Sequence, residues 1–374
     1  MSEPRYFLAY CDKLFTPSES FIPRGYSAFS KLKPLYIGHE VKGPIPEGAE
    51  VVQLGPLHGP AGESAFKQLG SISTKLEETL KAYNPVALHA SFGKSGAYAL
   101  PLAKKLELPM AVTYYGGDAT KTTNTKDSFI RVYNRRRAKL WKDADLILPC
   151  SNFIRDELAA KGAPEDKMVV HHNTADPARF EPGEKKDLLV FAGRWTEKKG
   201  IDTLIAALAR LGEELEGWTV RLIGDGDLKE DLVKELQAAG VNAELPGWVE
   251  ADDMPGHWAE ARIAVVPSKR AKSGDAEGLP LVCIEAMLSG CALAATRHAG
   301  ITECVKDGVT GYLVDEGDEA ALADRLARML TDKDRTKQMG EEGRNFALSD
   351  FNLQKQSKTL EAYLIDLAKK ADLL

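Results

Sequence analysis

Cysteine is scarce: five in 374 residues, Cys11, Cys150, Cys283, Cys291 and Cys304, widely spaced and with no C-x-x-C pair. That pattern excludes a disulfide framework and a zinc ribbon, and fits reduced thiols buried as small hydrophobes. Long apolar runs are also missing. No uncharged stretch approaches the ~18 residues that span a bilayer, and Met1-Ser2-Glu3-Pro4-Arg5 is not a basic region leading into an apolar one. The chain therefore reads as a cytoplasmic protein. Nor does one sign of charge dominate: 49 Lys+Arg stand against 55 Asp+Glu, for a net charge of −6. This excludes a chain-wide nucleic-acid binder. Short-period repeats and low-complexity tracts are absent, which excludes solenoids and tail-like segments. His257 and His298 have no partners at metal-ligand spacing, so both read as surface or supporting residues and no metal site is expected.

Short apolar strings alternate with longer segments of helical period, the pattern of βα units whose parallel sheet is covered on both faces. Strands are expected from Tyr6–Tyr10 to Met168–His172 in the first half and from Leu188–Ala192 to Gly311–Val314 in the second. Each half thus reads as a complete doubly wound α/β domain. The halves differ in charge: residues 1–180 carry 24 Lys+Arg and 19 Asp+Glu (+5), residues 181–374 carry 25 and 36 (−11). Residues 174–187, with Pro177, Pro182 and Gly183 but no apolar periodicity, are expected to be a linker between domains at 1–173 and 188–374. The last helix is a candidate to cross back to the first domain. Ligands of such sheets bind outside the carboxyl ends of the strands, so an interdomain cleft is where chemistry is expected.

In the second half, Gly193-Arg194-Trp195-Thr196-Glu197-Lys198-Lys199-Gly200 puts a guanidinium at a strand tip and an ammonium five residues on. Two such cations suit a diphosphate; a basic, solvated loop is the alternative. The run from Ser273 to Gly290 is a loop feeding a helix whose lone formal charge is Glu285. A carboxylate in an apolar helix needs a partner, either a ribose diol or a buried arginine. Pro280 fits the first helical turn, so amides near Gly278 and Leu279 would face an anion, with Glu277 and Glu285 flanking it. Gly224-Asp225-Gly226-Asp227 lacks a third glycine, and reads as a tight turn with Asp227 capping the next helix rather than a dinucleotide site.

These residues carry a resemblance. Pro267-Ser268, Gly274–Met287, Gly300-Ile301-Thr302-Glu303 and Gly308–Val314, with Arg194 and Lys199, resemble the donor half of the family 4 retaining glycosyltransferases. The resemblance implies a GT-B fold, two facing Rossmann-like domains. It further implies that Arg194 and Lys199 grip the donor diphosphate, Glu285 binds the ribose, and Glu277 lies beside the sugar and the reacting carbon. The Gly278, Leu279 and Pro280 segment would meet phosphate and sugar oxygens, and the loop at Gly247-Trp248-Val249 would face the base. Thr302 departs from the family, where proline is common.

The first half is similar to the exopolysaccharide branch of that family. Phe15–Ile22 resembles its opening loop, with Ser18 and Glu19 starting the first helix; Ser18 alone also fits an ordinary N-cap. His89 matches a strand-end histidine near the cleft, or is structural. Tyr115 stands where the family has a sugar-binding histidine, and Asp118 would position sugar or acceptor, or cap a helix. The basic, aromatic-bearing segment Arg131–Lys142 suits an anionic membrane surface or a lipid diphosphate; an ordinary packed helix with a solvated face is the alternative. The implied function is transfer of a sugar from a nucleotide-sugar donor, UDP-linked or GDP-linked, to a glycan or lipid-linked acceptor in surface polysaccharide synthesis. No cofactor is expected, since fixed cations replace a divalent ion. Kept beside this reading are a GT-B epimerase or phosphorylase and a non-catalytic nucleotide-sugar-binding subunit.

Overall fold

The computed structural model describes residues 5–58, 62–121 and 128–374, in two compact units. Unit 1 holds the chain up to His172 together with Gln354–Leu374, and unit 2 is Asn173–Leu353. In unit 1, β1 (Arg5–Tyr10), β2 (Leu32–Gly38), β3 (Glu50–Gln53), β4 (Leu88–Ser91), β5 (Met110–Tyr114) and β6 (Leu146–Pro149) form one parallel sheet. Their order is β3-β2-β1-β4-β5-β6, with Leu8 level with both Leu35 and Leu88. Unit 2 repeats the plan with β7 (Leu188–Ala192), β8 (Thr219–Ile223), β9 (Glu244–Gly247), β10 (Ile263–Val266), β11 (Ala292–Thr296) and β12 (Gly311–Val314). The order is β9-β8-β7-β10-β11-β12. Every residue of β4, β5, β7, β10 and β11 is buried, as in sheets covered on both faces.

Helices α1 (Gly93–Lys105) and α2 (Ser128–Asp143) pack together in unit 1, where a Cβ on Gly96 would sit 2.8 Å from Val112 and 3.1 Å from Leu140. Only glycine permits that approach. In unit 2, α3 (Ile201–Leu211) buries Ile201, Leu204, Ile205, Leu208 and Leu211, a stripe at helical spacing, among Leu189, Phe191 and Val265. Helix α4 (Leu281–Leu288) follows β10 through a long loop, and α5 (Leu353–Lys370) ends the chain. Leu360, Leu364 and Leu367 of α5 join the unit 1 core with Phe7, Tyr36 and Leu148. Glu361 Oε1 accepts the N–H groups of Ser30, Lys31 and Leu32 at 2.7, 2.6 and 2.9 Å, which fixes α5 to unit 1.

Several expectations are corrected. Residues 174–187 are no free linker. Phe180 is buried, the Gly183 and Lys186 amides donate to the Ala259 and Glu260 carbonyls (3.2 and 2.9 Å), and the Lys185 ammonium reaches the Ser289 carbonyl at 2.6 Å. The prolines bar regular structure there, but the polar groups around them find partners on unit 2. Met168–His172 makes only a single bridge to Ile147. Val169 and His171 donate to the Ile147 and Pro149 carbonyls, but Pro149 has no N–H to return the next bond. Ser18 caps nothing: Pro17 opens a 3₁₀ turn over Pro17–Glu19, which puts Ser18 inside the turn. Pro280 stands just before α4, at ψ 124°, rather than in its first turn. The helix after β8 starts at Lys229 with Leu228 at the cap position, so Asp227 does not cap it. Asp225 instead accepts the Gly226 amide at 2.8 Å and pairs with Lys229 at 2.9 Å.

Candidate functional site

In both sheets the winding reverses beside the first strand, and outside the carboxyl ends at that reversal a crevice opens for ligands. In unit 2 the flanking strands are β7 and β10, and the segments that leave them carry the charged constellation. After β7 the chain passes Gly193 and the exposed Arg194 into a 3₁₀ turn, Glu197–Lys199. Gly200 closes the turn at φ 64°, where a Cβ would lie 1.9 Å from the Pro267 carbonyl oxygen. No side chain fits there, so the lysine turn lies directly on the loop that leaves β10. Gly224 works alike: its Cβ would meet the Gly193 carbonyl at 1.9 Å, so the two-glycine turn braces the Arg194 loop.

The β10 loop brings Glu277 to the lysines. Its carboxylate is only 8% exposed, with Oε1 2.8 Å from Lys199 Nζ and Oε2 3.9 Å from Lys198 Nζ. Burial alone would raise its pKa, but Lys199 first and Lys198 next outweigh it and hold the carboxyl down at about 2. Asp275 Oδ1 stands 3.4 Å from Lys198 Nζ. Structure thus unites Lys199 with Glu277 and adds Lys198 and Asp275, which sequence reasoning had not singled out; the signal available was the doubled lysine. Arg194 lies on the same strand tip with its side chain in solvent.

Helix α4 begins next to this cluster. Gly278, Leu279 and Pro280 are buried, and Leu279 O accepts from Asn173 Nδ2 at 2.9 Å, a contact with no signal in the sequence. The helix buries Cys283, Ile284, Ala286, Met287 and Leu288 and leaves Glu285 half-exposed. Glu285 is therefore not the carboxylate sealed in a core that the apolar helix implied. It lies four residues along from Leu281, about 6 Å of helix rise. Val249 is half-buried just past β9, beside the exposed Trp248, whose Nε1 donates to Glu250 at 2.9 Å. His298 is buried rather than at the surface: its Nε2 accepts the Glu277 N–H at 3.1 Å. His257 is half-buried, 3.2 Å from Arg221.

In unit 1 the sequence-derived residues sit at the carboxyl ends of β4 and β5, mostly in structural roles. His89 is buried, with Nδ1 2.9 Å from the Tyr26 hydroxyl and Nε2 2.7 Å from Thr113 Oγ1, and burial drives its pKa down to about 3. Both ring nitrogens are taken, as in a satisfied core histidine. Asp118 accepts three amides, from Gly93 and Gly116 at 2.9 Å and Tyr115 at 3.1 Å, and so ties the β4 and β5 turns together. Tyr115 stacks edge-on against Phe21 and Phe92 (5.1 and 4.9 Å), and burial raises its pKa. Glu19 is half-buried and lines a small cavity with Cys11, Tyr26, Tyr36 and Ser91. Of the basic segment, Tyr133 and Trp141 face inward; Trp141 Nε1 donates to the Tyr114 hydroxyl at 2.9 Å. Arg136 donates to the Lys67 and Gln68 carbonyls at 3.2 and 2.8 Å. The two aromatics are thus packed inside, while Arg131, Arg135, Lys139 and Lys142 stay exposed on the other side of the helix. Among the described residues, no three His, Cys, Asp or Glu side chains gather as a metal site.

Two doubly wound sheets of the same strand order form the GT-B architecture. Residues 173–346 match the model of the glycosyl transferases group 1, and residues 36–174 that of the glycosyl transferase 4-like domain; the chain belongs to this family of glycosyltransferases. It is 30% identical over 287 residues to the WcaL protein of Salmonella typhimurium, assigned as a colanic acid biosynthesis glycosyltransferase, covering 74% of this chain and 69% of that one. To the amylovoran biosynthesis glycosyltransferase AmsK of Erwinia amylovora it is 29% identical, over 64% of this chain and 60% of that one. The GDP-mannose-dependent phosphatidylinositol monomannoside mannosyltransferase of Mycobacterium tuberculosis is 28% identical, over 61% and 62%. Among solved structures, HepE of Anabaena in complex with UDP and glucose shares the fold at TM-score 0.76 and 17% identity, over 97% of this chain and 99% of that one.

Proposed function

We propose that this glycosyltransferase moves a sugar, with retention of its anomeric configuration and without a divalent ion, from a nucleoside diphosphate donor to a glycan or lipid-linked acceptor in surface polysaccharide synthesis. A UDP-sugar is the favoured donor and a GDP-sugar the alternative. The observation that carries this is the ionised, buried Glu277 held against Lys199 and Lys198 at the reversal point of unit 2. Departure of the diphosphate develops negative charge; Lys198 and Lys199, held in place by carboxylates, stabilise it with little reorganisation, and Arg194 reaches it from the solvent side. Glu285 holds the ribose, Gly278–Pro280 and the start of α4 meet phosphate and sugar oxygens, and Val249 lies against the base.

The low pKa of Glu277 bears on mechanism. A carboxyl that titrates near 2 is too weak a base to take the acceptor's proton at neutral pH, and is never protonated enough to act as an acid. Its role is then to stabilise positive charge at the sugar carbon, while the departing phosphate accepts the proton in a front-face attack. Exopolysaccharide relatives such as AmsK support the acceptor class. The test is a panel of UDP- and GDP-sugars incubated in EDTA with no acceptor, read by NMR. The expected outcome is slow release of nucleoside diphosphate and a free sugar that first appears in the donor's anomeric form. Inverted sugar, or turnover only after magnesium or manganese is added, overturns the reading.

A further inference from the structure

Glu277 is gripped through its side chain by lysines, and through its backbone by residues with no assigned part in the chemistry. Behind the loop, β11 ends at Thr296, whose hydroxyl donates to the Ser268 carbonyl. The chain then turns sharply. His298 donates its amide to the Thr296 carbonyl at 2.7 Å, and Ala299 follows at φ 50°, a left-handed conformation that a non-glycine residue adopts only under constraint. That turn swings the His298 ring onto the loop, where Nε2 accepts the Glu277 N–H at 3.1 Å. A nitrogen that accepts carries no proton, so the ring proton sits on Nδ1, which lies 2.5 Å from Glu316 Oε1. The second Glu316 oxygen accepts the Arg270 N–H at 2.8 Å. Arg270 and Glu277 belong to the same loop, so one carboxylate after β12 and one imidazole after β11 fasten it at two points seven residues apart.

We propose that His298 and Glu316 are positioning residues for sugar transfer: Glu316 fixes the ring proton on Nδ1, and His298 thereby holds the Glu277 backbone so that its carboxylate meets Lys199 and the donor sugar. This rests on the proposed place of Glu277 beside that sugar. Three substitutions separate positioning from mere packing. His298→Leu removes the acceptor, His298→Gln returns an amide oxygen near the place of Nε2, and Glu316→Gln leaves one acceptor oxygen where Arg270 and His298 need two.

Two readouts apply to the full chain. Amide exchange of the segment 274–279, followed by mass spectrometry, should quicken at least tenfold in His298→Leu, quicken in Glu316→Gln, and stay near wild type in His298→Gln. In the donor-hydrolysis assay, kcat should fall at least tenfold in His298→Leu while KM changes less than threefold, and His298→Gln should recover to within threefold of wild type. Unchanged exchange in His298→Leu overturns the proposal. So does a glutamine variant no better than the leucine one, or a loss that appears wholly in KM. Wild-type protein that turns over no sugar nucleotide contradicts the functional reading instead, and exchange alone then decides whether His298 holds the loop.

Discussion

His89 and Glu277 are both sealed from solvent, yet their surroundings move their protons in ways with different consequences. Glu277 stays charged because two ammonium groups share its pocket, whereas His89 stays neutral because Tyr26 and Thr113 offer no charge against the cost of burial. The folded imidazole titrates at about 3 and the unfolded one at the ordinary 6.5. Between those values the unfolded chain binds more protons, so stability falls as pH drops below 6.5. One such group contributes a slope of roughly 1.4 kcal/mol per pH unit. His171, also depressed by burial, adds in the same direction. Chemical denaturation from pH 7.5 to 4.5 should therefore show a shallower acid loss in His89→Asn than in wild type; equal slopes would mean that His89 is not buried neutral. At this scale the sequence was most legible where a residue type is costly in its context. Arg194 and Lys199 after the strand and the glutamates around Gly278 stood out, but the burial of His89 and His298 did not, since the sequence does not show whether a ring nitrogen already has a partner.

At the scale of elements, boundaries followed hydrogen bonding that pattern alone does not reveal. The apolar strings gave the strands, but Pro149 cut short the pairing of Met168–His172 and Pro17 displaced the expected cap at Ser18. Helix α5 is the clearest case of a long-range partner. Its apolar stripe of Leu360, Leu364 and Leu367 was readable, whereas the fastening of Glu361 to three successive amides more than 300 residues earlier was not. Replacing Glu361 by alanine leaves those amides without their acceptor, and Leu32 among them is buried. A loss of about 2–4 kcal/mol in unfolding free energy is expected. Urea denaturation measures it, and a change below about 0.5 kcal/mol would show that the α5 stripe alone holds the helix in place.

For the molecule as a whole, strand alternation announced two doubly wound domains, and both form. The structure gives each unit the same strand order, and unit 2 sets Lys198, Lys199 and Glu277 at its reversal point. The unit 1 counterparts, Asp118 and His89, are spent on amides and core hydroxyls. The family resemblance was most specific in the second half because its motif sits in one contiguous loop and one turn. The supporting contacts of Asn173, His298 and Glu316 come from distant segments and had no local signature. The central claim is that fixed cations in unit 2 drive departure of the nucleoside diphosphate. It is tested most directly by kcat/KM for sugar-nucleotide turnover in EDTA, comparing wild type with a folded Lys199→Ala variant. The account predicts a loss of about 2–4 kcal/mol of transition-state stabilisation, roughly 30- to 1,000-fold; an unchanged kcat/KM would contradict it.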